Sequence, residues 1–228
     1  MTPTDLVKRP LVIALLGALL APCAARATDL VGGAAFLVGV PQGELDRAVN
    51  TGYGLEAHAF VTPAGKPFGL RIEGSFLIYG SEHFVAPFAG TGGRVGLEVT
   101  TDNWIGSFAA GPQLAVRSGA VRPHVHALVG LSYFATTSEL RNELEPFPVA
   151  SSTNFDDTTF RWSAGGGFNV PVSRTIAIDI GAAYVSNDHV SYLTEGDIHE
   201  DANGNAVFTP RRSRANLVQF TIGVTGRW

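Results

Sequence analysis

The chain has 228 residues, 16 Lys and Arg against 20 Asp and Glu, a formal net charge of −4, 27 glycines and a single cysteine. An acidic balance offers no electrostatic attraction to nucleic acid, and one cysteine, Cys23, excludes an intrachain disulfide. No apolar run approaches the roughly twenty residues of a spanning helix, which excludes a helical membrane protein, and the length suits one domain.

Lys8 and Arg9 precede an apolar run from Leu11 to Ala21, and Ala25, Arg26 and Ala27 supply the small residues that a signal peptidase needs. Residues 1–27 therefore read as a cleavable secretory signal, and residues 28–228 as the exported domain. The apolar run is about eleven residues, too short to stay as an anchor. Leu20-Ala21-Pro22-Cys23 has lipobox spacing, but Pro22 stands where a small residue is expected before the cysteine. Removing Asp5, Lys8, Arg9 and Arg26 with the signal leaves 13 basic and 19 acidic residues, a balance of −6.

Alternation and turn residues then predict eight strands, at about 30–40, 52–62, 68–80, 102–117, 121–137, 157–170, 174–187 and 215–228. Their connections alternate in length. Residues 63–67, 118–120 and 171–173 are short, whereas 41–51, 81–101, 138–156 and 188–214 are long. In the last strand Val218, Phe220, Ile222 and Val224 alternate with Gln219, Thr221, Gly223 and Thr225. Similar apolar parities run through Phe68, Leu70, Ile72, Phe76 and Ile78, through Phe160, Trp162, Ala164, Phe168 and Val170, and through Ile176, Ile178, Ile180, Ala182 and Tyr184. The first strand shows no clear parity.

An even number of such strands, with short turns at one end and long loops at the other, predicts an all-β chain. Its expected form is a closed eight-stranded antiparallel up-and-down transmembrane β-barrel with apolar residues toward lipid and both termini in the periplasm. A soluble β-sandwich or lipocalin-like barrel would also alternate, but its outward face should be polar. On this topology Tyr53, Trp104, Tyr133, Trp162 and Tyr184 form an outer aromatic girdle, and Phe68, Phe168 and Trp228 a periplasmic one.

The segments FRWSAGGGFNVPVSRTIAIDIGAAYV, GGAAFLVGVPQGELDRAVNTGYGLEAHAFV and FTIGVTGRW resemble the small outer-membrane β-barrel family that includes the outer membrane protein X, W and A transmembrane-domain types. The resemblance spans essentially the whole exported domain. It implies residence in the bacterial outer membrane after export to the periplasm, contact with membrane lipid and lipopolysaccharide, and recognition of the last strand by the barrel assembly machinery. Phe220, Ile222, Val224 and Trp228 are the residues that match such an assembly signal, while Gly226 stands where the family more often has a large residue.

Inward parity gathers Glu56, His58, Arg71, Glu73, Gln113, Arg117, His124, His126, Arg161, Asp179 and Arg227. A bore of eight strands holds little beyond its own side chains, so these groups are expected to pair as a structural polar plug. The rival is a narrow path for protons, ions or small molecules. Glu56, His58, His124 and His126 could also be arranged around zinc or copper, although a hydrogen-bonded histidine is the plainer reading, and no metal or cofactor is expected.

His189-Val190-Ser191, with Glu195 nearby, has the spacing of a His-x-Ser deacylase pair, but its parity points inward or into a loop and no oxyanion hole is recognisable. Asp201, Asn203 and Asn205 resemble the first ligands of a calcium loop, yet Gly204 and Arg212 break the pattern, and Asn203-Gly204 reads better as a hairpin turn. Glu139, Glu143, Glu145, Pro146 and Pro148 mark a solvated loop. Arg211, Arg212 and Arg214 suit lipopolysaccharide phosphate. The functional expectation is a monomeric, non-enzymatic barrel with a structural or surface-interaction role through its external loops, where an extracellular ligand would bind. The alternatives are a narrow channel for small or hydrophobic molecules and a lipid A-modifying enzyme.

Overall fold

The computed structural model describes residues 28–87, 96–141, 150–194, 197–200 and 206–228. The expected signal at 1–27, the Asn203-Gly204 turn, Asp201, Asn205, Glu195, Glu143, Glu145, Pro146 and Pro148 lie outside these residues. Among the described residues twelve strands form: β1 (Thr28–Gln42), β2 (Gly52–Pro63), β3 (Phe68–Pro87), β4 (Gly96–Ala115), β5 (Arg122–Arg141), β6 (Ala150–Pro171), β7 (Ile176–Asn187), β8 (His189–Tyr192), β9 (Ile198–Glu200), β10 (Ala206–Phe208), β11 (Arg211–Arg214) and β12 (Asn216–Arg227).

Eight of them close into a ring in the order β1-β12-β7-β6-β5-β4-β3-β2. Every neighbour in the ring is antiparallel, and the ring is sealed by β1 against β12 from Val31↔Arg227 to Gln42↔Asn216. Closure leaves no edge in the membrane, the condition that lets strands cross hydrocarbon at all. The short turns at one end of the ring are tight because their residues permit it: Gly65 and Gly119 take positive φ values of 75° and 112°. In the third turn, Ser173 Oγ accepts from the Ile176 amide at 3.0 Å.

The outer wall is apolar. Phe36, Leu55, Phe76, Phe108, Leu131, Phe160, Ile180 and Ile222 are all exposed on it. A continuous greasy belt of this extent belongs against lipid, since soluble surfaces rarely carry large apolar patches. The ambiguous parity of the first strand has a structural cause. Phe36 faces outward while its neighbours Ala35 and Leu37 are buried inside, so both faces of that stretch are apolar.

Two segments expected to be loops are largely strand. β3 and β4 stay paired to Pro87↔Gly96, β4 and β5 to Glu98↔Arg141, and β5 and β6 to Leu140↔Ala150. These stretches extend past the apolar belt, so the apolar alternation that marks a lipid-facing strand disappears while the ladder continues. Polar cross-strand pairs replace it: Ser81 Oγ donates to Asp102 Oδ1 at 2.6 Å, and Thr101 and Ser138 hydroxyls lie 2.7 Å apart. β2 ends its pairing with β3 at Tyr53↔Ile78, and β7 ends its pairing with β6 at Arg161↔Asn187. β3 to β6 thus stand as a four-stranded sheet taller than the rest of the wall.

The longest connection also builds structure. β8 pairs with β11 and β9 with β10, so the described residues of 188–214 form two short antiparallel ladders.

Candidate functional site

The interior is built in layers. Residues two apart on a strand share a face, so Glu56 and His58 of β2, Arg71 and Glu73 of β3, and His124 and His126 of β5 each enter the bore as pairs. Arg71 is the hub: its Nη2 donates to Glu56 Oε1 at 2.6 Å, its Nε to Glu73 Oε2 at 3.0 Å and its Nη1 to Gln113 Oε1 at 3.3 Å. Arg161, from β6, brings Nη2 to 3.5 Å from Glu73 Oε1, and His58 Nδ1 lies 3.3 Å from Glu56 Oε1.

A second strand of the network runs through His124. Asn169 Nδ2 lies 3.2 Å from His124 Nδ1, and Thr225 Oγ1 donates to Asn169 Oδ1 at 2.9 Å. Asp179 Oδ1 is 3.8 Å from the same ring nitrogen, beyond hydrogen-bond reach, and has no hydrogen-bond partner. A His124 that accepts from Asn169 at Nδ1 carries its proton on Nε2, so Asp179 gains an ionic partner only when the ring is doubly protonated. The His126 ring stacks beside it with centroids 6.1 Å apart. The buried layer holds three carboxylates, Glu56, Glu73 and Asp179, and two guanidinium groups, Arg71 and Arg161, one carboxylate in excess when the imidazoles are neutral. Among the described residues no three His, Cys, Asp or Glu side chains converge as metal ligands would. The cavity left in this layer is about 10 Å³, close to the roughly 10–15 Å³ that one water needs.

Above it lies a layer that inward parity alone did not reveal. Leu37, Leu77, Tyr79, Ile105, Phe134, Val185 and Leu217 project from the wall, and Leu45, Val190 and Tyr192 are brought in by the external connections to complete one buried cluster. Leu45 sits on a short 3₁₀ turn, Leu45–Arg47, inside the 41–51 connection. The Tyr79 hydroxyl donates to the Leu193 carbonyl at 3.3 Å, and the Tyr192 and Ser213 hydroxyls are 2.8 Å apart, so each phenol buried in the cluster keeps a polar partner. The inward parity of Leu37, Leu77, Ile105 and Phe134 was the available signal. Gln219 and Asn169 were likewise missed, although Gln219 shares the inward parity of Thr225 and Arg227.

Arg117 is not part of the central plug. β4 ends at Ala115, and Arg117 lies past it at the periplasmic rim, where it pairs with Asp29 and donates from Nη1 to the Lys66 carbonyl at 2.9 Å. Arg227 reaches the same Asp29. At the outer end, Arg211 is engaged by Asp197, its Nε 3.1 Å from Oδ2, while Arg212 and Arg214 are exposed. His189 Nδ1 lies 3.0 Å from Asp188 Oδ1, and Ser191 offers its amide to Asp157 Oδ2 at 2.8 Å.

Tyr53, Trp162 and Tyr184 are exposed on the outer wall toward the external end, where Trp162 packs on Tyr184 at 5.8 Å and Trp104 on Tyr133 at 5.5 Å. Phe68, Phe168 and Trp228 are exposed at the periplasmic end. On β12, Phe220, Ile222 and Val224 face outward above Trp228.

A sealed antiparallel ring with a greasy exterior, an ionic interior and alternating short and long connections is the architecture of an integral outer-membrane β-barrel. The family described as outer membrane protein beta-barrel domain matches residues 11–209, and the chain belongs to that family and resides in the bacterial outer membrane. Solved structures similar to it include Ail, the attachment invasion locus protein of Yersinia pestis, in complex with the heparin analogue sucrose octasulfate. That structure is 11% identical over 89% of this chain and 99% of its own, with a TM-score of 0.46. OprG from Pseudomonas aeruginosa is 12% identical over 89% of this chain and 96% of its own, with a TM-score of 0.45. Neisserial surface protein A is 11% identical over 88% and 97%, with a TM-score of 0.43. No curated protein matches the chain.

Proposed function

We propose that this protein is a non-conducting, non-enzymatic, monomeric surface barrel whose role is structural and interactive through its external face. The observation that carries the reading is the double closure of the bore: an ionic layer around Arg71 with room for a single water, and above it an apolar cluster completed by Leu45, Val190 and Tyr192. An ion entering from outside would have to cross a dry hydrocarbon layer before reaching any charge, which is costly. In this reading Glu56, His58, Arg71, Glu73, Gln113, His124, His126, Arg161 and Asp179 are structural, and the aromatic residues at the two rims anchor the barrel in its bilayer.

What remains available for contact is the tall β3 to β6 sheet and the 188–214 hairpins. Arg212 and Arg214, exposed beside the outer leaflet, are the groups suited to lipopolysaccharide phosphate, and an extracellular ligand would meet the same surface. The absence of a His189–Ser191 partnership, with His189 turned to Asp188, supports a non-catalytic role. Removal of residues 1–27 on export and recognition of Trp228 with Phe220, Ile222 and Val224 by the assembly machinery complete the proposal.

Planar-bilayer recording of the purified barrel tests it: the expected trace carries no unitary steps, and reproducible stepwise conductance overturns the sealed-bore reading. In parallel, the Arg212→Gln, Arg214→Gln double variant is expected to co-purify with severalfold less lipopolysaccharide by mass spectrometry.

A further inference from the structure

The periplasmic mouth is basic in a chain whose net charge is −4. Arg117, Arg122, Arg174 and Arg227, from two turns and two strand ends, line one cavity of about 80 Å³, several times the roughly 10–15 Å³ needed by one water. No carboxylate lines it. Asp29 stands beside it and its Oδ2 serves both Arg117 and Arg227, the latter at 3.1 Å. Burial, with the Arg227 guanidinium next to it, holds the Arg117 guanidinium below its ordinary value. Arg122 Nε is buried without a hydrogen-bond partner, as is Arg161 Nε in the layer above, but only Arg122 lines this basic mouth.

Four guanidinium groups therefore line a cavity without a carboxylate, two of them held by Asp29 beside it, and Arg122 keeps a buried N–H with no protein acceptor. Asn169 and Thr225 add polar groups to the lining, and Phe60 and Ile176 give it apolar walls that strengthen the field inside. The way inward is blocked by Glu56 and Glu73, whose charge repels an anion and whose layer has space only for water. The vestibule is thus a terminus for an anion and not the start of a path.

We propose that this vestibule binds a phosphate group on the periplasmic side, with Arg122 as the principal donor and Arg174 and Arg227 closing around the remaining oxygens. A tetrahedral oxyanion meets several guanidinium forks arriving from different strands, a geometry that arginine serves bidentately and lysine does not. The phosphate has two possible sources, a soluble periplasmic phosphate or the headgroup of an inner-leaflet phospholipid, and the reading is independent of the surface role above.

Inorganic phosphate titrated into the barrel, purified from outer membranes into a non-ionic detergent, tests the site. The signals followed are the arginine Nε–H resonances and the heat of binding. A saturable shift at Arg122, weakened by added salt, is expected, and Arg122→Gln is expected to weaken binding about tenfold or more. Asp29→Asn, which frees two guanidinium groups from their internal acceptor, is expected to tighten it. Repeating the measurement in phosphatidylcholine nanodiscs with and without phosphatidylglycerol separates the sources: a shift produced by the anionic lipid alone assigns the headgroup, and a shift that needs added phosphate assigns the soluble ion. No saturable response in either setting, or binding indifferent to both substitutions, overturns the proposal. If Arg122→Gln loses its heat-modifiable mobility on gels, the direction of the Asp29→Asn effect decides alone.

Discussion

Glu73 holds two guanidinium groups at once, Arg71 at 3.0 Å and Arg161 at 3.5 Å, and Arg161 is only 1% exposed. Removing the carboxylate leaves both cations to Glu56 alone in a layer too small to admit compensating solvent. Breaking a buried ion pair from one side costs about 3–5 kcal/mol, because the surviving charge is uncompensated. Glu73→Ala is therefore expected to lower the stability of the barrel by that order in urea unfolding from lipid vesicles, with Glu73→Gln intermediate. An unchanged midpoint would mean that water reaches the layer and screens it. The residues of this layer were individually legible in the sequence, since period-two parity tells which way a side chain points. Their partners were not, because they come from other strands: Glu56 and Gln113 reach Arg71 from the two flanking strands, and Arg161 reaches Glu73 from β6 across the bore.

The hairpin ladder of 188–214 carries its own electrostatic latch. Burial pushes the Asp197 carboxyl up, but hydrogen bonds from Arg211, the Thr194 hydroxyl at 2.7 Å and the Thr194 amide at 2.9 Å more than offset it, and the group titrates below the usual carboxylate range. The folded hairpin thus binds this proton less readily than the unfolded segment, and its stabilisation is present above the ordinary value of about 3.9 and is lost as pH falls through the lower folded value. Protection of the Thr194 amide from hydrogen exchange should be constant from pH 8 to about 5 and decline below about 4. Asp197→Asn should remove that pH dependence, and a Thr194 amide equally protected at all pH values would refute the latch. Arg211 was visible in sequence as one of three clustered arginines, but its pairing with Asp197 had to wait for the register of β8 against β11.

The ring is closed by the two ends of the chain. The Trp228 amide donates to the Leu30 carbonyl at 2.9 Å and the Leu30 amide to the Trp228 carbonyl at 3.4 Å, extending the seam by which β12 finds β1. All other strand pairings of the ring join strands that are neighbours in sequence or separated only by the 188–214 connection, so this seam is the pairing with the longest loop to close. Trp228, 75% exposed to the surroundings, adds little packing inside the barrel. Trp228→Ala is accordingly expected to refold in detergent with near-normal efficiency and to reach the outer membrane in cells at a severalfold lower level, read as the heat-modifiable fraction. Equal cellular levels would remove the assembly role from this residue.

Strand count, topology and the lipid-facing side followed from the sequence by itself, because hydrocarbon imposes one demand on every spanning strand: apolar residues at every second position such as Phe220, Ile222 and Val224, with turns where the chain leaves the membrane. Where that demand stops, so did the reading. Strands longer than a crossing needs announce that some project, but past the lipid belt no apolar alternation records the ladder, so how far β3 to β6 stay paired emerged only in three dimensions. The inward face answers to no solvent, only to side chains arriving from other strands, so polar and apolar fillings both satisfy it. The tertiary structure alone decided that Leu45, Val190 and Tyr192 come in from the connections to seal the bore, and that Arg117 stops at the rim beside Asp29.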